Sequence, residues 1–219
     1  QLKFSPSVLK ALEKRALIGI DRERVERDPF AARIGRIEPR HLPTSEQPAV
    51  IGRMASARPG EVFLLHGVTG SGKTLVYIEL LREIVERRGK TAIVLVPEIA
   101  LTPQTVDRCR AVFGDDVAVL HSALSDGERY DAWLALKRGE KRIAVGARSA
   151  VFAPLTNIGA IIVDEEHESS YKQGETPRYH AREAASVRAT QEGAVVVLGS
   201  ATPSLESWTN AAAAKFTLL

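Results

Sequence analysis

Gly67-Val68-Thr69-Gly70-Ser71-Gly72-Lys73-Thr74 follows the apolar run Val62-Phe63-Leu64-Leu65 and precedes an amphipathic segment over residues 75–85. The stretch reads as a phosphate-binding loop between a strand and a helix. Its glycines let the backbone turn with N–H groups pointing inward around a polyphosphate, and the helix N-terminus adds favourable partial charge. Lys73 is expected to reach the β- and γ-phosphates, and Thr74 to put its hydroxyl on Mg²⁺. Gly67, Gly70, Gly72, Lys73 and Thr74 are therefore the candidate nucleotide-binding residues.

Beyond this loop, strand-like apolar runs alternate with helical ones. Strands are expected over residues 91–96, 117–120, 143–145, 160–163 and 195–198, and helices over 103–113, 125–138, 181–191 and 203–214. The alternation predicts an α/β fold with a parallel sheet covered by helices on both faces. Several strands are apolar throughout, as burial on both faces requires. Ser125 followed by Glu128 predicts a capping box. In such a sheet ligands sit beyond the carboxyl ends of the strands, which brings the phosphate loop and the acidic segment after Val163 to one rim.

The chain has 219 residues, 44% hydrophobic and 26% charged, enough for one full globular domain and a smaller piece. A net charge of +3 with 30 Lys+Arg permits a polyanionic partner. The single cysteine, Cys109, excludes an internal disulfide and any cysteine-cluster zinc site within these residues. No apolar run approaches the roughly 18 residues that span a bilayer, and the N-terminus lacks a signal-peptide pattern, so a soluble cytoplasmic protein is expected. The first forty residues differ in kind. Residues 7–16 read as a helix, the Arg/Glu-rich 21–28 as a short hairpin, and the Pro- and Arg-rich 29–48 as a linker.

Asp164-Glu165-Glu166-His167 ends the apolar strand Ala160-Ile161-Ile162-Val163. Two adjacent carboxylates at a strand end suit divided labour: Asp164 on Mg²⁺, Glu165 on the water that attacks the γ-phosphate. No metal-ligand spacing surrounds His167, which reads as a coupling or packing residue. Gly199-Ser200-Ala201-Thr202-Pro203 follows another strand. It is either a helix N-cap with proline in the first turn, or a pair of hydroxyls, Ser200 and Thr202, that couple to the acidic segment. Between them, Tyr171 and Lys172, then Arg178 and Tyr179, interleave aromatics with cations. Such a pattern can stack on bases while neutralising phosphates, and core packing is the alternative for both tyrosines.

The combination of GVTGSGKT (67–74), LVPEIALTPQ (95–104), LHSALSDGER (120–129), GARSAVFAP (146–154), DEEHESSYKQ (164–173) and GSATPSLES (199–207) resembles the PriA family of primosomal replication-restart helicases, in superfamily 2. The DEEH box separates it from DEAD-box RNA helicases. The resemblance runs from about residue 41 to the C-terminus and implies a RecA-like, P-loop first motor lobe over 41–219. Residues 1–40 resemble the later part of that family's winged-helix domain and a linker. The implied activity is ATP-dependent 3′-to-5′ unwinding of DNA during replication restart. The implied ligands are ATP and Mg²⁺, with no zinc site in this stretch. The implied partners are single-stranded and forked DNA, primosome proteins and single-strand-binding protein, and the implied location is the nucleoid rather than a membrane.

The resemblance also assigns Gln47 to the adenine side of the nucleotide, and Thr102, Gln104, Arg148 and Ser149 to the tracking strand's backbone. The segment holding Tyr171 and Tyr179 resembles an aromatic-rich loop that couples DNA to hydrolysis. A second lobe, whose arginines can contribute about 10³–10⁵ in rate, has no counterpart in these residues. Taken alone they are expected to bind nucleotide weakly, hydrolyse it slowly and unwind nothing. Alternatives are a double-stranded DNA translocase or nuclease subunit of the same superfamily, and a non-catalytic DNA-binding scaffold. A GTPase is disfavoured because no Asn-Lys-x-Asp signature follows the phosphate loop.

Overall fold

The computed structural model describes residues 5–19, 47–101 and 103–219, with side chains left out at 103–105. In chain order its strands are β1 (Val62–His66), β2 (Thr91–Leu95), β3 (Val117–Leu120), β4 (Ile143–Gly146), β5 (Ile158–Val163), β6 (Lys172–Gln173), β7 (Tyr179–His180), β8 (Val195–Ser200) and β9 (Thr217–Leu218). Its α-helices are α1 (Pro6–Lys14), α2 (Gln47–Ala55), α3 (Lys73–Leu81), α4 (Pro103–Phe113), α5 (Asp126–Lys137), α6 (Ala181–Glu192) and α7 (Leu205–Ala212). Seven strands form one sheet in the order β3-β4-β2-β5-β8-β1-β9. Every pairing in it is parallel.

Alternation along each strand divides the core in two. Phe63, Leu65, Ala92 and Val94 face the side packed by α2, α3 and α4, whereas Val62, Leu64, Ile93 and Leu95 face the side packed by Leu136 of α5 and the alanines of α6. Burying one such Leu, Ile or Phe side chain stabilises the fold by about 1.5–3 kcal/mol, so a strand apolar on both faces specifies the middle of a helix-covered sheet. The expected α/β architecture is therefore present.

Local signals act as expected in several places. The Ser125 Oγ accepts from the Glu128 N–H at 3.3 Å while the Ser125 N–H donates to Glu128 Oε2 at 2.8 Å, a complete capping box for α5. The segment expected as one helix over 75–85 starts earlier, as α3 from Lys73, and continues as a π-helix over Arg82–Arg87.

Three features differ from expectation. The last residues of the expected linker are the start of α2, which packs Met54 into the core. The helix expected from 203 begins at Leu205, with Ser204 as its N-cap accepting from the Ser207 N–H at 3.3 Å. Thr202-Pro203 precedes that cap and is not it. A two-residue strand, β9, adds an edge beside β1. Of the expected winged-helix segment only α1 is described; the hairpin over 21–28 lies outside the described residues, as does the linker up to residue 46.

Candidate active site

Strand β1 delivers the phosphate loop to the rim of the sheet. The Gly67 N–H donates to the Ser200 carbonyl at 3.2 Å, which ties the loop to the end of β8. Gly70 (φ +83°) and Gly72 (φ +87°) hold left-handed conformations that side chains disfavour, and Gly72 caps α3. A Cβ on Gly67 would lie 2.5 Å from Ser71 Oγ, so a side chain there would require the Ser71 hydroxyl to turn away. The Lys73 Nζ donates back to the Gly67 carbonyl at 2.7 Å, which lays the ammonium along the loop. Thr74 is exposed in the first turn of α3. Gln47 braces the loop from outside: its Nε2 donates to the Ser71 carbonyl at 3.2 Å, and a Cβ on Gly72 would lie 2.5 Å from that nitrogen. A glycine-rich turn at the start of a helix, a cation and an exposed hydroxyl fit a magnesium-bound polyphosphate.

Strand β5 delivers the acidic segment beside it. The Asp164 N–H donates to the Leu95 carbonyl at 2.9 Å, which fixes the backbone between β2 and β5. Asp164 Oδ1 accepts from the Tyr77 hydroxyl at 3.0 Å. Burial pushes the Asp164 carboxyl above its usual range against that hydrogen bond; the Glu165 charge adds to the push, and the Lys73 ammonium is near enough to oppose it. A desolvated carboxylate with an adjacent carboxylate gains most from a cation, which fits Mg²⁺. Glu165 has φ +45°, uncommon for a residue other than glycine, and its side chain is one-third exposed. Such a conformation costs about 1–3 kcal/mol and persists where neighbours hold it. Here the Glu166 N–H donates to the Gly199 carbonyl at 3.0 Å and the Glu168 N–H to the Glu165 carbonyl at 2.9 Å.

The next two side chains point to different partners. Glu166 is fully buried and accepts from Arg182 Nη1 at 2.7 Å, from the Ser204 N–H at 2.7 Å and from the Ser207 hydroxyl at 2.8 Å. His167 Nδ1 lies 2.8 Å from Ser200 Oγ and 3.7 Å from Glu165 Oε2, and its Nε2 is 3.4 Å from Thr202 Oγ1. Of the two readings of the Ser-Ala-Thr motif, the hydroxyls therefore do meet the acidic segment. Neither Tyr77 nor Glu166 stands out in the sequence as a site residue. Tyr77 lies one helical turn after Lys73, a spacing that puts both on one face.

The aromatic segment divides. Tyr171 is fully buried and donates its hydroxyl to the Asp164 carbonyl at 2.6 Å. Stacking of its ring on a base is thus corrected: the ring is enclosed by core residues and has no open face. Lys172 and Arg178 are exposed, and Tyr179 is half-buried with its ring edge-on to Phe152 at 5.0 Å. Strands β6 and β7 pair antiparallel, with Lys172 opposite His180. Arg148 Nη1 donates to the carbonyls of Ser170 at 3.1 Å and Lys172 at 2.8 Å, bracing this hairpin, and Ser149 beside it is exposed. Arg148, Ser149, His121, Arg129, Gln173 and Tyr179 line a cleft of about 290 Å³. Thr102 lies outside the described residues, and of Gln104 only the backbone, in α4, is described.

The model of DEAD/DEAH box helicases matches residues 44–210. The chain belongs to the DEAD/DEAH box helicase family. This helicase lobe is 51% identical over 219 residues to the replication restart protein PriA of Bacillus subtilis (strain 168), covering 98% of this chain and 27% of that one. It is 58% identical over 146 residues to the replication restart protein PriA of Synechocystis, covering 66% of this chain and 17% of that one. The chain thus spans less than a third of the length of these relatives. Among solved structures, RecG bound to a three-way DNA junction gives a TM-score of 0.58 at 18% identity, covering 99% of this chain and 25% of that one. The Hef helicase domain of Pyrococcus furiosus gives 0.56 at 18% identity, covering 74% and 33%. These two likenesses concern the helicase-lobe fold.

Proposed function

We propose that this chain is the ATP-binding lobe of a replication-restart DNA helicase that works 3′-to-5′ on forked DNA. One observation supports the reading: the Tyr77 hydroxyl, one turn after Lys73 on α3, donates to Asp164 Oδ1 at 3.0 Å and so links the helix of the phosphate loop to the acidic segment after β5, in a chain half-identical to a PriA protein. The loop N–H groups and Lys73 bind the phosphates, and Gln47 reads the adenine side. Thr74 and Asp164 would hold Mg²⁺, which when bound would offset the negative charge of the phosphates. Glu165 orients the attacking water and takes its proton. Those roles need only one or two protein ligands on the metal, in keeping with magnesium's usual site.

Coupling to DNA follows from the same elements. The His167, Ser200 and Thr202 contacts join the acidic segment to the end of β8, where a change at the γ-phosphate is passed on. Arg148, Ser149, Thr102 and Gln104 take the backbone of the tracking strand, with Lys172, Arg178 and Tyr179 beside them. Tyr171 contributes from the core, through the Asp164 carbonyl. Primosome proteins and single-strand-binding protein are the proposed partners, in the cytoplasm at the nucleoid, with zinc held in other parts of the longer protein.

The test uses the full-length protein. Lys73→Ala should lower DNA-stimulated ATP hydrolysis by about 10²–10⁴-fold while fork affinity stays within a few-fold, and Glu165→Gln should retain bound ATP without turnover. Normal turnover by Glu165→Gln would remove the water-activation role.

A further inference from the structure

Tyr77 is 5% exposed, yet it carries a polar group into the core between three chemical elements of the site. It stands on α3, four residues after Lys73, so it moves with the helix that bears the ammonium and the Thr74 hydroxyl. Its hydroxyl donates to Asp164 Oδ1 at 3.0 Å. The space for that hydroxyl comes from the Gly199 position on β8: a Cβ there would lie 1.5 Å from the Tyr77 oxygen and 2.8 Å from its Cζ. Any larger residue at 199 would displace the tyrosine. The glycine that opens the Gly-Ser-Ala-Thr motif is therefore explained by a side chain more than a hundred residues away.

We propose that Tyr77 is a positioning residue that sets the Asp164 carboxylate for the divalent cation, with Gly199 supplying the room for it. The inference rests on the nucleotide reading above. A phenylalanine would fill the same apolar space, so packing alone does not call for the hydroxyl. Pinning one carboxylate oxygen removes rotation that the cation would otherwise have to arrest, and outer hydrogen bonds of this kind commonly change metal affinity by about 10–100-fold. The link also makes α3 and β5 one unit, so the phosphate grip and the metal ligand keep a constant spacing.

The measurement is the affinity of full-length protein for a fluorescent, non-hydrolysable ATP analogue, first in EDTA and then across a Mg²⁺ titration. Tyr77→Phe should keep its melting temperature near that of the parent and its metal-free affinity within about twofold, yet need about tenfold more Mg²⁺ to reach half of the metal-dependent tightening. Gly199→Ala should shift the Mg²⁺ midpoint in the same direction by displacing the hydroxyl. Where Gly199→Ala does not fold, Tyr77→Phe alone decides. An unchanged midpoint in Tyr77→Phe overturns the proposal, and so does an equal loss with and without Mg²⁺, which would make Tyr77 a packing residue. If the parent protein itself shows no Mg²⁺-dependent binding, the nucleotide reading falls and takes this inference with it. That failure is distinguishable because it appears before any substitution.

Discussion

Arg182 Nη1 lies 2.7 Å from Glu166 Oε2, and the carboxylate has no exposed surface at all. Burial opposes the charge on Glu166, but the guanidinium, the Ser204 N–H and the Ser207 and Ser204 hydroxyls outweigh it and hold the carboxyl below its usual range. One side chain thereby joins the end of β5 to the starts of α6 and α7. Removing either partner strands the other charge in the core, and such losses cost about 3–5 kcal/mol. Glu166→Ala should therefore lower the unfolding free energy by about that amount in a denaturant titration. Replacement of Ser207 by Ala, which takes a donor to Glu166 at 2.8 Å and an acceptor from Arg182 at 3.3 Å but leaves the ion pair itself, should cost less, about 1–2 kcal/mol.

Gly199 and Tyr77 should behave as a coupled pair in stability as well. Gly199→Ala forces an overlap, and overpacking of this kind costs about 1–3 kcal/mol. In a Tyr77→Phe background the nearest ring atom is Cζ at 2.8 Å rather than the oxygen, so the same alanine should cost less. A double-mutant cycle by thermal or chemical unfolding should give a coupling energy clearly different from zero. Strict additivity would show that the two do not compete for space.

The two tyrosines of the aromatic segment should separate by experiment. Tyr171→Ala empties a core position and should cost about 3–5 kcal/mol of stability. Tyr179→Ala, which trims a half-buried ring against Phe152 and the edge of the core, should cost less, about 1–2 kcal/mol. In full-length protein it should weaken single-stranded DNA binding by about 1–3 kcal/mol, the usual contribution of a stacked base. Unchanged DNA affinity would confine Tyr179 to its contact with Phe152.

Glu61 gives an acid-sensitive anchor away from the active site. The Arg53 guanidinium holds its carboxyl below the usual value of 4.5, against burial, with further help from the Arg58 N–H at 3.0 Å and the Thr217 hydroxyl at 3.0 Å. A folded-state pKa below the unfolded one means that the stabilisation is present above about pH 4.5 and is lost as the pH falls through the folded value. Glu61→Gln should thus destabilise by about 1 kcal/mol at pH 7, a figure reduced by the partial exposure of Arg53, and by less at pH 3. Urea titrations at the two pH values make the comparison.

Much of the sheet was legible because its strands are apolar on both faces. β3 and α4 run over the residues the pattern marks, 117–120 and 103–113. Short elements were not: β9 has two residues, too few for any periodicity, and α2 begins inside a Pro- and Arg-rich stretch that masks its apolar spacing at Val50, Ile51 and Met54. The phosphate loop and the acidic pair were legible as local motifs. Tyr171 was not, because a tyrosine beside lysine reads the same whether it faces solvent or the core. Glu166 was not either, since Arg182 and Ser207, the residues that make its burial tolerable, stand 16 and 41 positions away.

Ser200 sits where two chains of contact cross. On one side its carbonyl receives the Gly67 N–H, the first amide of the phosphate loop; on the other its hydroxyl meets His167, three residues past Asp164. The strand that carries it is paired on both sides, with β5 and with β1. A displacement of this single serine is accordingly felt by the phosphate loop and the acidic segment together.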